Sequence, residues 1–569
     1  MKWLAEWKPR QVNHSLVMSE QDLEDYPCWY LDEAHSMPPW TPLFAWSWVH
    51  GNRYGDLWAA ESIGLPRCHG TDWREIDGCA YVSPVLITDE QEVRQRETRF
   101  REHLQLFIQD YDRIWQDAIQ ELTTHYNKFK AFDVDNSPAY KLYGHLEQVF
   151  KFNLRVWALH SLMMYSVYEL YSFFEELCRE QLGIDDTSPQ WHRLMRGFDN
   201  KIFEADRWLW RLYQRAVELG LDSIFKNNPD EQVLPALEET EAGRRWHDEP
   251  RGFRELLQEH GWRLPRMVEF NCKAWIEDPA PAISFIKQYL AKGGNFELDA
   301  RRNQLIKERE EAEREVLSRF PQSEQGWVIM LMKAAQRAGS FSEEHTFYFE
   351  QTSHSLMRRA ALACGKQMAG RNLIEDPEDF VYLLPDEIKK NLIPLQSDYR
   401  GLVSERKRYY HQYCRRLPRP ALIGKLANDP EAAMRHMMAS GDKVMAKITV
   451  GRVVRARPEL KADLYGNPAS PGVATGPARI ILSETDIVNI KPGEVLVAIT
   501  TYPSWTPVFP LLKGIILDRG ASLSHAAIVG REYNIPVVVQ TGEATGKLEN
   551  GQRIKIDGAK GAVWILPKG

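Results

Sequence analysis

Paired cysteines, an excess of basic residues and an N-terminal signal segment are all missing from this sequence. The seven cysteines are scattered and form no C-x-x-C pair. This argues against a disulfide framework or a zinc ribbon and favours a reduced, cytoplasmic chain without a metal site. Lys and Arg number 72 against 79 Asp and Glu, so nucleic acid is not expected as the main partner. The first residues contain no unbroken apolar run, and no signal peptide is predicted.

A long apolar segment and a nucleotide phosphate loop are missing as well. The most apolar stretch, residues 157–174, contains His160 and Glu169. We therefore expect a helix buried in a large domain and no contact with a membrane. The G-x-x-x-x-G-K-[ST] pattern of a phosphate loop does not occur in the sequence.

What the sequence does have is an uneven distribution of tryptophan. Its 569 residues include 19 Trp, and eight of them precede residue 75. At roughly 100–200 residues per domain, this length suggests three or four domains. Residues 1–88 are also rich in proline and show no sustained helical period. They are predicted to form an irregular segment with a few short strands that packs on a helical domain.

A helical pattern dominates residues 89–454. Apolar residues recur there at spacings of three and four, with charges between them, as at Leu104, Phe107, Ile108 and Tyr111. This spacing places the apolar side chains on one face of a helix. The region is predicted to be a large helical domain.

The texture changes after Pro458. Short β-branched runs, separated by glycines, cover residues 478–482, 494–499, 514–517, 536–539 and 553–556. A helical stretch, 524–533, lies between the third and the fourth run, which indicates a compact α/β domain. We place this domain at 466–569 and a linker at 455–465. The whole chain is then a multidomain α+β protein: a large, mostly helical domain with a Trp-rich irregular N-terminal segment, plus a small C-terminal α/β domain.

The run D-R-G-A-S-L-S-H-A-A-I-V-G-R-E at 518–532 carries the strongest chemical signal. His525 falls in the first turn of the predicted helix, where backbone N–H groups and the positive end of the helix dipole favour a bound anion. A neutral imidazole is a nucleophile, so we interpret His525 as a residue that carries a phosphoryl group. Arg519 and Arg531 are candidate partners of that group. The predicted phosphate loop consists of Gly520, Ala521, Ser522 and Ser524.

This run resembles the phosphohistidine motif in the swivelling domain of the PEP-utilising enzymes, such as PEP synthase, pyruvate phosphate dikinase and rifampicin phosphotransferase. Residues 470–476, 535–539 and 541–545 are similar to the entry loop, the closing strand and the closing turn of the same domain. Ala521 stands where the family has a second glycine, and Leu523 where dikinases often have Thr. The resemblance covers about residues 464–569 and implies that His525 is the phosphocarrier.

The donor half of such an enzyme has no counterpart in the sequence. The family's usual donor is a strand- and glycine-rich ATP-grasp domain, and no zone of this chain has that texture. A PEP-binding barrel would follow the histidine domain, but the sequence ends at Gly569. The resemblance therefore implies a separate ATP-grasp subunit that phosphorylates His525 with ATP and Mg²⁺.

The helical region resembles the acceptor-binding domain of rifampicin phosphotransferase and of the His-carrying subunit of phenylphosphate synthase. The matching segments are 30–40, 341–348 and 370–383. This resemblance implies an ATP-dependent phosphotransferase subunit that acts on the hydroxyl of a small aromatic compound.

An aromatic acceptor needs an apolar pocket and a group that activates its hydroxyl. The candidate pocket residues are Trp157, Met164 and Tyr168, which alternatively form only helix core. A phenolic hydroxyl has a pKa near about 10, so a base or a cation is expected to assist its attack. Either His345 or His354 is the candidate base, with Arg358 directed at the phosphoryl group, unless this stripe is a solvated helix face. The remaining candidates are Glu344, Asp32 and His35.

Three alternatives stay open at this point. The chain is a kinase subunit for a larger secondary metabolite or drug, a non-catalytic phosphocarrier or ligand-binding protein, or a lyase or hydratase with a vestigial histidine domain. The intact histidine motif argues against the last. An ATP-grasp chain encoded beside this one would favour an enzyme over a binding protein.

Overall fold

A computed structural model describes residues 16–264, 269–292, 298–392, 397–415, 419–441, 457–482, 484–521 and 524–567. The chain forms two compact units. The first contains residues 1–170, 268–271 and 348–450, and the second contains residues 171–267, 272–347 and 451–569. The predicted helical domain, 89–454, is therefore divided between both units. The first two residues of the predicted linker, 455–456, lie outside the described residues.

Helices make up most of the structure. They are α1 Glu20–Asp25, α2 Glu33–Ser36, α3 Pro42–Ile63, α4 Glu90–Lys130, α5 Ala139–Leu182, α6 Pro189–Leu194, α7 Lys201–Glu218, α8 Asp222–Asn227, α9 Asp230–Glu238, α10 Glu241–Asp248, α11 Phe253–His260, α12 Ala280–Lys292, α13 Leu298–Leu317, α14 Gln322–His345, α15 Thr352–Ala369, α16 Pro385–Leu392, α17 Arg400–Cys414, α18 Pro430–Met438, α19 His525–Tyr533 and α20 Ala544–Lys547. A π-helical turn, Thr346–Gln351, joins α14 to α15, and 3₁₀ helices cover Pro377–Tyr382, Pro458–Leu460, Glu484–Asn489 and Pro503–Leu511. Within the described ranges, no helix is long and apolar enough to cross a membrane.

The strands form two sheets, one in each unit. They are β1 Trp29–Leu31, β2 Cys68–Ile76, β3 Cys79–Leu86, β4 Leu422–Ile423, β5 Leu464–Tyr465, β6 Asn467–Ser470, β7 Val473–Ile481, β8 Val495–Ala498, β9 Gly514–Leu517, β10 Val537–Val539, β11 Arg553–Asp557 and β12 Ala562–Ile565. The first sheet has the order β2-β3-β1-β4, and its strands pair antiparallel. The second has the order β5-β12-β11-β7-β8-β9-β10-β6.

The N-terminal segment is less irregular than the sequence indicates, because residues 42–63 form the long helix α3. Pro42 stands at its first turn and Gly64, with φ +72°, ends it, as glycine commonly does. A Cβ on Gly51 would lie 2.2 Å from Cδ1 of Trp157, so α3 approaches α5 closely there. Since α3 is buried on nearly all sides, it lacks the alternation of apolar and polar residues that marks a surface helix. For this reason the sequence pattern does not predict α3 as a helix.

The C-terminal sheet confirms the predicted strands and the helix between them. Strands β7 to β10 pair in parallel at its centre, and α19 follows β9 as the sequence indicates. The sequence does not reveal β5, β6 and β12. Strand β5 lies at the end of the predicted linker and pairs with β12, so those residues belong to the sheet.

One face of this sheet shares a hydrophobic core with helices of the second unit. Trp210 and Tyr289 belong to the same buried cluster as Trp505, Phe509 and Val537. The hydroxyl of Tyr289 donates to the carbonyl of Pro507 at 3.0 Å. The α/β domain is therefore packed on α7 and α12, and this packing brings His525 against helical residues of the same unit.

Candidate functional site

Helix α19 begins at His525, as predicted. The preceding Ser524 has extended backbone, and its hydroxyl donates to the carbonyl of Ala521 at 2.8 Å. Gly520 has φ +126°, a conformation that favours glycine. The turn therefore delivers His525 to the N-terminus of a nine-residue helix, where the dipole favours negative charge. Ser522, a member of the predicted phosphate loop, lies outside the described residues.

Each ring nitrogen of His525 has a neighbour. Nδ1 lies 2.9 Å from Oε2 of Glu343, and Nε2 lies 3.2 Å from the hydroxyl of Thr506. That hydroxyl also donates to the carbonyl of Pro503 at 2.8 Å. Because an ionised carboxylate only accepts hydrogen bonds, Nδ1 carries the proton in this contact, and in the neutral ring Nε2 keeps the lone pair. His525 is 9% exposed and Glu343 1%, so the pair is shielded from water.

Glu343 is the functional residue that the sequence analysis missed by one position. It lies on α14, where the predicted face contained the adjacent Glu344. Gln336, seven residues earlier, is also buried, and its amide donates to the carbonyl of Leu194 at 3.0 Å. Two polar residues seven positions apart on the buried face of one helix are a pattern that could have indicated Glu343 from the sequence.

A second buried acid–base pair lies near His525. Asp206 on α7 is 1% exposed and Arg263 is fully buried. Burial raises the pKa of Asp206 to about 7, while the charges of Arg263 and His525 act in the opposite direction. Burial also lowers the pKa of Arg263 to about 10, against the charges of Asp206, Glu204 and Glu343. The neighbourhood of His525 thus includes the carboxylates of Glu343 and Asp206 and the guanidinium of Arg263, which the sequence did not predict as site residues.

Asp518 connects the end of β9 to residues 541–545, which resemble the closing turn of the family's domain. Its carboxylate accepts a hydrogen bond from the hydroxyl of Thr541 at 2.8 Å and from the backbone N–H of Ala544 at 2.5 Å. It also accepts from the N–H of Thr545 at 3.2 Å. Asp518 therefore fixes the closing turn against the end of β9, just before the loop that leads to His525.

Arg531 and Arg519 each contact a backbone carbonyl, and the charge of Glu343 also acts on Arg531. Arg531 is buried in the last turn of α19 and donates to the carbonyl of Ala469 at 2.9 Å, which joins the helix to β6. Arg519 lies in the loop before His525, where its N–H donates to the carbonyl of Ile499 at 2.9 Å. The phosphate-binding role of both residues stays a prediction.

His345 and Glu344 lie in the same unit as His525. His345 is half-buried; its Nδ1 lies 3.0 Å from the carbonyl of Phe341, and its ring stacks on that phenyl ring at 5.1 Å. Burial raises the pKa of Glu344 to about 7.

His354 and Arg358 belong to the first unit. His354 is fully buried, its Nδ1 lies 2.6 Å from the carbonyl of Glu350, and burial lowers its pKa to about 4. Arg358 donates to Glu378 at 2.8 and 2.7 Å. Both residues take part in the internal packing of that unit, so the predicted grouping of His345 with His354 and Arg358 divides between the units.

The remaining candidates also lie in the first unit. Asp32 and His35 form a pair at 2.7 Å; although burial lowers the pKa of His35, the charge of Asp32 raises it to about 9. Trp157 is 1% exposed and packs edge-on against Trp48 at 4.8 Å, which makes it part of a core. Tyr168 is also buried and Met164 is half-buried.

One group with the donor set of a metal site lies in the second unit. Glu204, Glu259 and His260 each place a ligand atom within 4.8 Å of the others. The ammonium of Lys201 already donates to Glu204 at 2.6 Å and supplies a positive charge at this position. The group therefore does not resemble the all-oxygen site that Mg²⁺ prefers.

Two family models match the chain. Residues 490–561 match the PEP-utilising enzyme mobile domain, and residues 159–343 match the rifampicin phosphotransferase fourth domain. His525 lies inside the first match. Glu343 is the last residue of the second, which also contains Asp206 and Arg263. Both sides of the His525 site are thus covered by recognised domains.

Curated relatives extend this similarity. The chain is 28% identical over 477 residues to chondramide synthase cmdD of Chondromyces crocatus, covering 81% of this chain and 12% of that protein. It is 30% identical over 391 residues to the uncharacterized phosphotransferase YvkC of Bacillus subtilis, covering 68% of this chain and 44% of that protein. It is 27% identical over 346 residues to rifampicin phosphotransferase of Bacillus subtilis, covering 59% of this chain and 36% of that protein. The chain spans less than half the length of each.

Proposed function

The chain carries the mobile domain of the PEP-utilising enzymes, and from that premise we propose that it is a phosphotransferase working through phosphohistidine. His525 takes a phosphoryl group on Nε2 and passes it to the hydroxyl of an acceptor. The observation that carries this proposal is the bond between Nδ1 of His525 and Glu343, at the N-terminus of α19.

Glu343 supports both halves of the reaction. By accepting the Nδ1 proton it leaves the Nε2 lone pair for attack on phosphorus. The imidazole then gains positive charge as the N–P bond forms, and the carboxylate stabilises that charge. When the acceptor attacks, the N–P electron pair returns to Nε2 and the neutral ring is restored with its proton on Nδ1.

The phosphoryl donor in this proposal is a separate ATP-grasp subunit. ATP enters as the substrate of that subunit, with Mg²⁺ bound to its phosphates. This exchange would take place in the cytoplasm. The α/β domain would move between the ATP-grasp subunit and the acceptor by swinging about residues 455–465.

A small aromatic hydroxyl compound is the proposed acceptor. Aromatic side chains surround the described part of the site in the second unit: the ring of Phe509 lies 5.6 Å from that of His525. Tyr289 and Tyr533 are buried close to Asp206. Flat apolar walls with a few polar groups suit a phenol.

The direct experiment combines the chain with ATP, Mg²⁺ and a candidate ATP-grasp protein. Intact mass spectrometry should show a gain of one phosphoryl group that is labile in acid. His525→Ala should not gain it, and His345→Ala should. Addition of phenol should then discharge the phosphorylated chain and yield phenyl phosphate. Stoichiometric phosphorylation of His525→Ala would contradict the carrier role.

A larger acceptor is the second candidate, favoured by the match of residues 159–343 to a rifampicin phosphotransferase domain. Rifampicin itself is the probe, used in the same discharge assay. Faster discharge by rifampicin than by phenol would favour this candidate. Discharge by neither compound would instead favour a phosphocarrier that delivers its group to another protein.

A further inference from the structure

Asp206 and Arg263 lie close together without bonding to each other. Oδ2 of Asp206 accepts a hydrogen bond from the hydroxyl of Tyr533 at 2.9 Å. Among the described residues, Oδ1 of Asp206 and both Nε and Nη1 of Arg263 have no hydrogen-bond partner. Both side chains are at most 1% exposed. Buried polar groups are nearly always satisfied, so this gap calls for a further polar atom.

The chemistry of the gap specifies the kind of atom. The carboxylate oxygen can only accept a hydrogen bond and the guanidinium can only donate. A hydroxyl satisfies both, because it donates its proton to Asp206 and accepts from Arg263. A phosphoryl oxygen would satisfy only Arg263, and an ammonium only Asp206. The pair is thus complementary to an alcohol, a phenol or water.

Electrostatic interactions, and a hydrogen bond from a residue of α19, connect these two side chains to His525. The charge of His525 acts on Asp206, and the charge of Glu343, which binds His525, acts on Arg263. Tyr533 stands two helical turns after His525 on α19, and helix side chains tilt toward the N-terminus. Its hydroxyl therefore reaches back from the far end of the same helix to hold Asp206.

We propose that Asp206 is the general base for the acceptor hydroxyl and that Arg263 binds the oxygen of that hydroxyl, an assignment that rests on the proposed phosphotransferase function. The hydroxyl gives its proton to Oδ1 of Asp206 while its oxygen forms a bond to phosphorus. The N–P bond at Nε2 of His525 breaks, and its electron pair returns to the ring. In the reverse direction, protonated Asp206 gives the proton to the leaving oxygen.

The acid–base properties of Asp206 agree with this role. Its pKa of about 7 lets the carboxyl both take and return a proton near neutral pH. The charged and titratable groups that face it are Arg263, His525 and Arg207, together with the hydroxyls of Tyr533 and Tyr289. Tyr533 stabilises the carboxylate, so its removal should shift the base to higher pH.

The first test follows phosphohistidine without any assumption about the acceptor. The full chain is phosphorylated with phosphoramidate, a chemical donor, and its discharge to water is followed by mass spectrometry from pH 5.5 to 8.5. The wild-type rate should rise through about pH 7, as expected for a general base. Asp206→Asn should lose this rise, and Tyr533→Phe should move it to higher pH. Asp222→Asn, a half-buried acid on α8 of the same unit, is the control.

The second test uses the reverse reaction with two phosphate esters. Phenyl phosphate releases a weakly acidic phenol that needs a proton, whereas 4-nitrophenyl phosphate releases a much more acidic one that does not. Asp206→Asn should slow phosphorylation of His525 by phenyl phosphate about a hundredfold, and by the nitrophenyl ester less than about tenfold. Arg263→Gln should slow both reactions alike.

The outcomes separate the two proposals. Equal effects of Asp206→Asn on both esters, together with an unchanged pH profile of discharge, would show that the gap holds only a structural water and would overturn the assignment. If neither ester phosphorylates the wild type, the aromatic acceptor is wrong, and the discharge profile still decides the role of Asp206. If phosphoramidate does not modify His525 while the native fold is retained, the proposed function itself fails, and Asp206 has no reaction to catalyse.

Discussion

Two of the buried histidines, one taken from each unit, have different partners at Nδ1. In the second unit, His525 begins a helix, and its Nδ1 is bound by the carboxylate of Glu343 at 2.9 Å. In the first unit, His354 lies inside a helix, and its Nδ1 lies 2.6 Å from a backbone carbonyl. The rings of Phe44, Trp48, Trp157 and Phe270 surround His354 at 5.1–6.2 Å.

The two environments treat positive charge on the imidazole differently. Burial lowers the pKa of His354 to about 4, although its carbonyl partner and the charge of Glu350 act in the opposite direction, and the ring stays a packing element. A carboxylate on Nδ1 compensates the charge that appears when Nε2 is phosphorylated. In the proposed function, the phosphocarrier is therefore the histidine whose Nδ1 is bound by the carboxylate of Glu343, although both rings are buried.

Replacing each of these two histidines should produce the largest difference in phosphorylation. We expect His525→Ala to abolish phosphorylation by phosphoramidate, because it removes the imidazole whose Nδ1 is bound by the buried Glu343 at the N-terminus of α19. His354→Phe should be phosphorylated at the wild-type rate, because it leaves that imidazole in place and lies in the other unit. Intact mass spectrometry measures both. Phosphorylation of His525→Ala would contradict the proposed difference between the two histidines. So would a folded His354→Phe variant that is not phosphorylated.

Lowering the pH should destabilise the fold around His354, because this histidine is buried in its neutral form. The pKa of His354 is lowered in the folded chain, so the unfolded chain binds the extra proton between pH 6.5 and about 4. Its contribution to stability is present above pH 6.5 and is lost as the pH falls through this window. The loss of local stability amounts to at most about 3 kcal/mol, because the pKa of His354 falls from 6.5 to about 4 on folding.

Hydrogen exchange in α15 measures this effect. Protection of the helix in the wild type should weaken steeply between pH 6.5 and 4, and His354→Phe should show a shallower dependence. His411→Gln, an exposed histidine on α17, serves as the control and should keep the wild-type slope. Parallel slopes for the wild type and His354→Phe would show that the ring is not buried in its neutral form.

The sequence predicted the site where local pattern determines structure. Strand β9, the turn and the start of α19 follow each other within a few residues, so the local pattern placed His525 in the first turn of a helix, and the resemblance to the phosphohistidine motif indicated its role. Glu343, Asp206 and Arg263 come from other elements, separated from His525 by 180 residues or more. Their juxtaposition depends on how the helices pack, which local periodicity does not contain.

The same reasoning explains the errors in the first unit. Helix α3 is buried on nearly all sides, so it has no apolar stripe to detect. His354 and Arg358 share a predicted helical face with Glu344, with His345 beside it, but a π-helical turn, Thr346–Gln351, separates them from both. A π-turn changes the phase of the helix, and the predicted common face is interrupted there.

The carboxylate itself should account for much of the reactivity of His525. Glu343→Gln keeps the shape but removes the charge, and we expect phosphorylation by phosphoramidate to slow about ten- to a hundredfold, as for loss of a charge-assisted hydrogen bond. Glu344→Gln is the matched control, one residue away, and should react within about threefold of the wild type. Initial rates from quenched samples measure both. Equal slowing of the two variants would mean that charge in this region, and not the bond to Nδ1, matters.

Thr506 should have the smallest effect, because the two sides of the His525 ring are not equivalent. Its hydroxyl lies 3.2 Å from Nε2 but gives its proton to the carbonyl of Pro503 at 2.8 Å. A hydroxyl with one proton cannot fully satisfy two acceptors, so the lone pair of Nε2 is only weakly held. Thr506→Val should therefore change the phosphorylation rate less than about threefold, while stability falls by about 1 kcal/mol through the lost hydrogen bond. A tenfold change in rate would instead place Thr506 beside Glu343 as a residue that controls the nucleophile.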